Sequence, residues 1–237
     1  MEPLGELAKR FVSSLQGAAF FPFNKWRAVR LADNPPLLMP EDTAFVLGQE
    51  PSFGVSAFYA CRETILPEGV YLLGDDLTSL GPQTSFARIV FVKLRNFFSY
   101  AKPAAFERIK AIKDMESGLM MEGIMVNESK FEKQETIAFR RGGAFARLSF
   151  EALGDDYVNL FKTNSDVDKV AVVFVTLPTF DYAEAKRQAV LADKTLDAMV
   201  FLGGKKEADC GSCPQRALCE AVPGLRETHL SRLKKGL

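Results

Sequence analysis

Val170-Ala-Val-Val-Phe-Val-Thr-Leu177 runs for eight residues without a charge and is dense in β-branched side chains. A run of this kind, closed by Pro178, predicts a strand covered on both faces and central in its sheet. Asp181 opens the next segment, with Glu184 three residues on, the spacing of a capping box. A helix is expected from there to about Met199 or Val200, stopped by Gly203-Gly204. Strand followed by helix is therefore the local unit, and the segments on either side decide what it pairs with.

Upstream, Phe86-Ala-Arg-Ile-Val-Phe-Val-Lys-Leu94 reads as a second strand with little alternation, again buried on both faces. From Ala44 to Leu80 the pattern stays β, with Phe45-Val-Leu47, Phe53 to Cys61, and Val70 to Leu73. Leu66-Pro-Glu-Gly69 carries the proline and glycine of a type I turn. Ile137-Ala-Phe139 and Ala144 to Phe150 flank Arg140-Arg-Gly-Gly143. That turn offers two guanidinium groups and two glycine amides able to approach an anion closely; it reads equally well as an exposed hairpin tip.

Two further helices are expected. Leu4, Leu7, Phe11 and Leu15 fall at helical spacing, as do Phe106, Ile109, Ile112 and Leu119 between Ala104 and Met121. Phe20-Phe-Pro-Phe23 and Trp26 are expected to pack in the core or an interface, and Met120-Met121 to fill a core gap. Asn34-Pro-Pro36 reads as a linker. The fold class expected is α+β: a mixed sheet of about five to seven strands, with two or three packed helices and a cysteine-rich C-terminal appendage. The boundaries follow as 1–36 for an N-terminal helix and linker, 37–202 for the α+β domain, and 203–237 for a metal-binding tail.

Lys and Arg number 30 and Asp and Glu number 30, so the net charge is zero and no overall field draws the chain to nucleic acid or an anionic membrane. The start, Met1-Glu-Pro-Leu-Gly-Glu, lacks the form of a signal peptide, and no apolar run approaches the roughly 20 residues of a membrane span. A cytoplasmic protein is expected.

Three of the four cysteines fall in Cys210-Gly-Ser-Cys213-Pro-Gln-Arg-Ala-Leu-Cys219. Two thiolates separated by two residues turn back onto one centre, and a third five residues later reaches it from the next helical turn. Structural zinc usually takes four ligands as two close pairs; a three-cysteine run leading into a short helix is nearer to iron–sulfur spacing. Free or redox thiols remain an option. The fourth cysteine, Cys61, ends a strand and reads either as a small buried apolar residue or as a fourth ligand. The same cysteine arithmetic occurs in nucleases that fasten their chain ends around a cluster, and it would require the tail to fold back against the β region. A persuasive acidic Asp…Glu-x-Lys constellation on a strand and turn is lacking here. His229 is the chain's one histidine and sits in a basic tail expected to be mobile, so no nucleophile–base pair stands out.

Ala57-Phe-Tyr-Ala-Cys-Arg62, Glu68-Gly-Val-Tyr-Leu-Leu-Gly-Asp-Asp76, Phe106-Glu-Arg-Ile109 through Gly118-Leu119, and Phe145-Ala-Arg-Leu-Ser149 carry a resemblance. Over about two-thirds of its length the chain resembles the middle domain of acetyl-CoA synthase, the β subunit of the carbon monoxide dehydrogenase/acetyl-CoA synthase complex. The tail through His229 resembles that of short stand-alone relatives. The family's nickel site needs a Cys-Gly-Cys element, and this chain has none, so the resemblance does not extend to acetyl-CoA assembly. It implies an iron–sulfur accessory protein or subunit in one-carbon/acetyl-CoA metabolism, with a 4Fe-4S cluster and a larger carbon monoxide dehydrogenase or one-carbon enzyme as partner. It also implies coenzyme A binding at Arg140, Arg141, Phe145 and Arg147, where Phe145 stands in for the family's tryptophan. The alternatives are a coenzyme A-dependent acyl or one-carbon transferase and a zinc-clipped binding module.

Overall fold

The computed structural model describes residues 3–27, 37–95, 103–119, 121–129, 133–141, 148–205 and 209–234. Its centre is β8 (Val167–Val175), buried at nearly every position as its composition demands. On one side β8 runs antiparallel to β5 (Phe86–Leu94), which runs parallel to β3 (Gly54–Cys61). On the other it runs parallel to β4 (Gly69–Leu73), which carries β1 (Ala19–Pro22) as an antiparallel edge. At the far side β3 meets β7 (Gln134–Arg140) through one pair, Val55 with Gln134. From that corner β7 continues as the middle of an antiparallel arm between β2 (Thr43–Leu47) and β6 (Ile124–Ser129). The result is an eight-stranded mixed sheet, and the fold is α+β.

Side chains alternate across a strand, so neighbours on β3 report opposite faces. Phe58 meets Phe161 of α3 (Phe150–Lys162), with ring centroids 5.9 Å apart. Tyr59 meets Phe11 of α1 (Pro3–Val12) at 6.1 Å. The long helix α4 (Tyr182–Gly203) shares the α1 face, crosses β3, and takes α2 (Pro103–Asp114) on its outer side. Asp181 caps α4 by accepting from the Glu184 amide at 2.8 Å. The return bond of a capping box is replaced, because the Glu184 carboxylate accepts from Arg187 and Gln188 instead.

Several expectations need correction. Among the described residues the sheet has eight strands rather than five to seven; of the six α-helices, α1, α3 and α4 pack on its strands, in line with the two or three expected. Phe150 opens α3 instead of ending a strand: the Ser149 hydroxyl accepts from the Ala152 amide at 3.1 Å and caps it. The second helix is shorter than read, since α2 gives way to a 3-10 turn at Met115–Gly118. Phe20 and Trp26 are exposed, while Phe21 and Phe23 pack only in part against the core. Met121 is buried as expected of a gap filler; Met120 and the Asn34-Pro-Pro36 linker lie outside the described residues. No described helix is long and apolar enough to cross a membrane.

A charge cluster is sealed where α3, β5 and β7 meet. Arg88 is 1% exposed, and its Nε donates to Glu135 Oε1 at 3.0 Å. Its Nη2 donates to Ser56 Oγ at 3.1 Å, and Nη1 lies 2.9 Å from Glu116 Oε2. The Tyr157 ring covers the guanidinium at 4.5 Å. Burial opposes the charge on Arg88, but the two carboxylates outweigh it and hold the group well above its ordinary value. Two carboxylates against one cation leave a surplus. It falls on Glu116, which burial pushes up to about 7 despite Arg88, and whose Oε1 has no hydrogen-bond partner. A carboxyl with a raised folded value stabilises the fold fully below its ordinary range and loses that contribution as pH rises through the folded value. Against Glu116→Gln, the wild-type chain is therefore expected to lose on the order of 3 kcal/mol between pH 4.5 and 8, at 1.36 kcal/mol per pKa unit. Denaturant unfolding of both chains across that range measures it; a constant difference would show that Glu116 does not titrate there.

Candidate metal centre

The tail begins where α4 ends, at Gly203, the first of the paired glycines and about one turn beyond the end expected at Met199 or Val200. Asp209 organises the first loop. Its carboxylate accepts from the Gly211 amide at 3.1 Å, the Ser212 amide at 3.3 Å and the Ser212 hydroxyl. The loop closes tightly enough that Cys210 and Cys213 border one cavity. Bonds from Arg216 N to Cys213 O (3.1 Å) and from Cys219 N to Gln215 O (2.9 Å) then start α5 (Arg216–Ala221), which brings Cys219 to the same cavity. The two-then-five spacing thus brings all three cysteines to the border of one cavity.

The rest of the tail corrects the sequence reading. Instead of a mobile basic end, Val222 and Leu225 are buried, and α6 (Leu225–Lys234) follows a turn in which Gly224 takes φ +82°. Both tail helices dock on α4 and on each other. His229 comes to lie 9% exposed on α6, among the residues that line the same cavity as the cysteines. Sequence reasoning missed it, although Leu225 and His229 stand one helical turn apart and so share a face.

The cavity encloses about 590 Å³ and is bordered by Cys210, Cys213, Cys219 and His229, with Arg226 and Lys205 among the basic groups at its margin. All four cysteines of the chain are free thiols. Burial pushes the Cys219 thiol above its ordinary value, and Cys213 and Cys210 add to the shift. Thiols that oppose one another's ionisation are stabilised as thiolates by a cationic centre. Sulfurs ligating one zinc at 2.3 Å in a tetrahedron stand about 3.8 Å apart. Among the described residues no three donors are grouped closely enough to hold a single ion as placed.

Cys61 lies elsewhere. It ends β3 at 1% exposure, its Sγ lies 3.9 Å from Tyr59 O, and it does not border the tail cavity. The tail folds onto α4, not back against β3. Arg140 and Arg141 close β7, both exposed. The Arg141 amide bonds Asp42 O at 2.7 Å, pinning this end of the arm to the start of β2. Phe145 and Arg147 lie outside the described residues. No model of a known protein family matches this chain, and no curated protein does either.

Proposed function

We propose that the chain is an iron–sulfur protein of one-carbon or acetyl-CoA metabolism, an accessory protein or subunit of a larger carbon monoxide dehydrogenase or related enzyme. The observation that carries this is the convergence of Cys210, Cys213 and Cys219 on one cavity at the surface of the α+β body. A 4Fe-4S cluster there would supply one-electron transfer or a rigid cross-link, and the three thiolates would hold it. Placement in the tail, away from the sheet, suits a role toward a partner, since an electron relay must be approached from outside. Four free thiols are in keeping with a reducing cytoplasm. The partner's identity rests on the resemblance of residues 57–62, 68–76 and 106–119 to the middle domain of acetyl-CoA synthase.

The test is iron and acid-labile sulfide analysis, with a visible spectrum, on protein purified without oxygen. Wild-type protein is expected to carry both, and each of Cys210→Ser, Cys213→Ser and Cys219→Ser to lose more than half the iron. Zinc without sulfide would replace the cluster by a structural clip. Neither metal would overturn the proposal.

A second reading is a coenzyme A-dependent acyl or one-carbon transferase. The exposure of Arg140 and Arg141 at the end of β7 favours it, because paired guanidiniums suit phosphates. Calorimetric titration with coenzyme A decides: binding abolished by Arg140→Ala/Arg141→Ala supports it, and no heat in the wild-type chain removes it.

A further inference from the structure

We infer that the arm of β2, β6 and β7 is a proton-governed flap. It closes on the body of the sheet by bringing Glu116 and Glu135 to Arg88, and it opens more readily once Glu116 has given up its proton. The inference is independent of the metal reading. It goes beyond the effect of Glu116 on overall stability, because it ties the proton to the opening of one part of the fold.

The first ground is how lightly the arm is joined. Among the described residues β7 pairs with β3 only through Val55 and Gln134. The Ser56 amide adds one bond to Lys133 O at 3.3 Å, and the Gly48 amide, just after β2, bonds Thr84 O at 3.1 Å. By contrast β5 and β8 are paired from Ala87 to Leu94. Side chains supply much of the remaining attachment. Lys186 of α4 donates to Gln134 Oε1 at 3.2 Å, and Arg88 of β5 reaches across to Glu135 of β7. A segment held by few backbone bonds opens at a lower cost than the interior of a sheet.

The second ground is how charge divides across the seam. Arg88, Ser56 of β3 and Tyr157 of α3 belong to the body. Glu135 lies on β7, and Glu116 lies in the 3-10 turn that leads toward β6. Both oxygens of Glu135 accept from Arg88 Nε, at 3.0 and 3.1 Å. Glu116 comes within 2.9 Å of Nη1 without the alignment of a hydrogen bond, so Arg88 Nη1 and Glu116 Oε1 are both left unbonded. Of the two carboxyls, Glu116 is therefore the one that carries a proton. The other charges here are Glu128 of β6, Lys133 ahead of β7, Lys113 of α2 and Asp193 of α4. Lys133 lies 3.9 Å from Glu128 and 2.9 Å from Asp193, which Lys113 also meets. Those four balance, and the surplus negative charge stays with the Arg88 group.

The direction follows. In the closed arm burial holds Glu116 up at about 7, with Arg88 opposing and Glu135 and Glu128 assisting. Opened to water, it returns to the ordinary carboxyl range. Closure is then fully favoured below that range and weakens as pH rises through 7. One proton moving between these two values changes the opening equilibrium by about twentyfold from pH 5.5 to 7.5. Burial and the neighbouring Lys113 lower Lys133 to about 8, which sets the upper end of this window.

Hydrogen–deuterium exchange on the full chain tests the flap, at pH 5.5 and 7.5 and in a series of low urea concentrations, with rates corrected for intrinsic amide chemistry. In the wild-type chain β6 and β7 should exchange faster than β5 and β8, with a smaller dependence on urea, the mark of a partial opening. Their protection should fall about twentyfold from the lower pH to the higher. Glu116→Gln should give the arm the same protection at both. Carbon-13 titration of the wild-type carboxyls needs no variant and decides if glutamine prevents folding: one carboxyl should titrate near pH 7. The inference is overturned if β6 and β7 share the rates and urea dependence of β5 and β8, or if the arm's protection is the same at both pH values in wild type. It is equally overturned if the pH dependence survives in Glu116→Gln, or if no carboxyl titrates above about pH 5.5.

Discussion

Arg88→Met is expected to lower stability by about 3–5 kcal/mol at pH 8, the usual result of removing one partner from a buried ion pair. Methionine fills much of the volume of the arginine stem but leaves Glu135, fully buried, and Glu116, nearly so, without their common cation. Burial already raises both carboxyls with Arg88 in place. Without it they rise further, so a larger share of their ionisation is penalised as pH increases. The deficit should accordingly be smaller near pH 5, where both can be protonated, and larger at pH 8. Adding Glu135→Gln should recover part of it. Urea unfolding at the two pH values is the measurement. A loss under about 1 kcal/mol, typical of a surface pair, would mean that water reaches the cluster.

Gly54→Ala acts on the same corner through the backbone. An added Cβ at Gly54 would sit 1.7 Å from the carbonyl oxygen of Glu135 and 3.0 Å from Gly48 Cα. The obstacle is main chain of β7, so no rotamer change relieves it, and β7 must lift away from β3 at their one point of pairing. Overpacking commonly costs about 1–3 kcal/mol; with backbone as the obstacle, the loss should reach or exceed the top of that range. For a chain of this size each kcal/mol lowers the melting temperature by roughly 2–4 °C, so a fall of about 6 °C or more is expected. Lifting β7 also withdraws Glu135 from Arg88, so Gly54→Ala and Arg88→Met should combine to less than their sum. Strict additivity in that double-mutant cycle would show the two features to be independent.

Much of the core was legible along the chain. Val170–Leu177, Phe86–Leu94 and Phe53–Cys61 are apolar over lengths that suit strands, and they became β8, β5 and β3, side by side in the sheet. Leu4, Leu7, Phe11 and Leu15 read as one helical stripe, and all four are buried. In each case local periodicity and tertiary burial demand the same thing. In α3 they do not. Gly154 in mid-helix weakens any helical reading of Phe150–Lys162, yet a Cβ there would come within 2.5 Å of both methyl groups of Val70. That glycine is explained by a strand 84 positions away, which no window along the chain contains.

The tail divides along the same line. Sequence alone determined that three thiols fall close together, because the two-then-five interval closes through a loop and one helical turn whatever the remainder of the chain does. Only the tertiary structure decided where the tail packs and which side chains share its cavity. Cys61 reads as a cysteine available to complete a quartet, but the pairing of β3 with β5 buries it within the sheet. His229 reads as one polar residue in a basic end, but the docking of Val222 and Leu225 carries it inward to the cavity. Spacing governs contacts made within a turn or two; contacts between distant segments are set by which apolar faces cover one another.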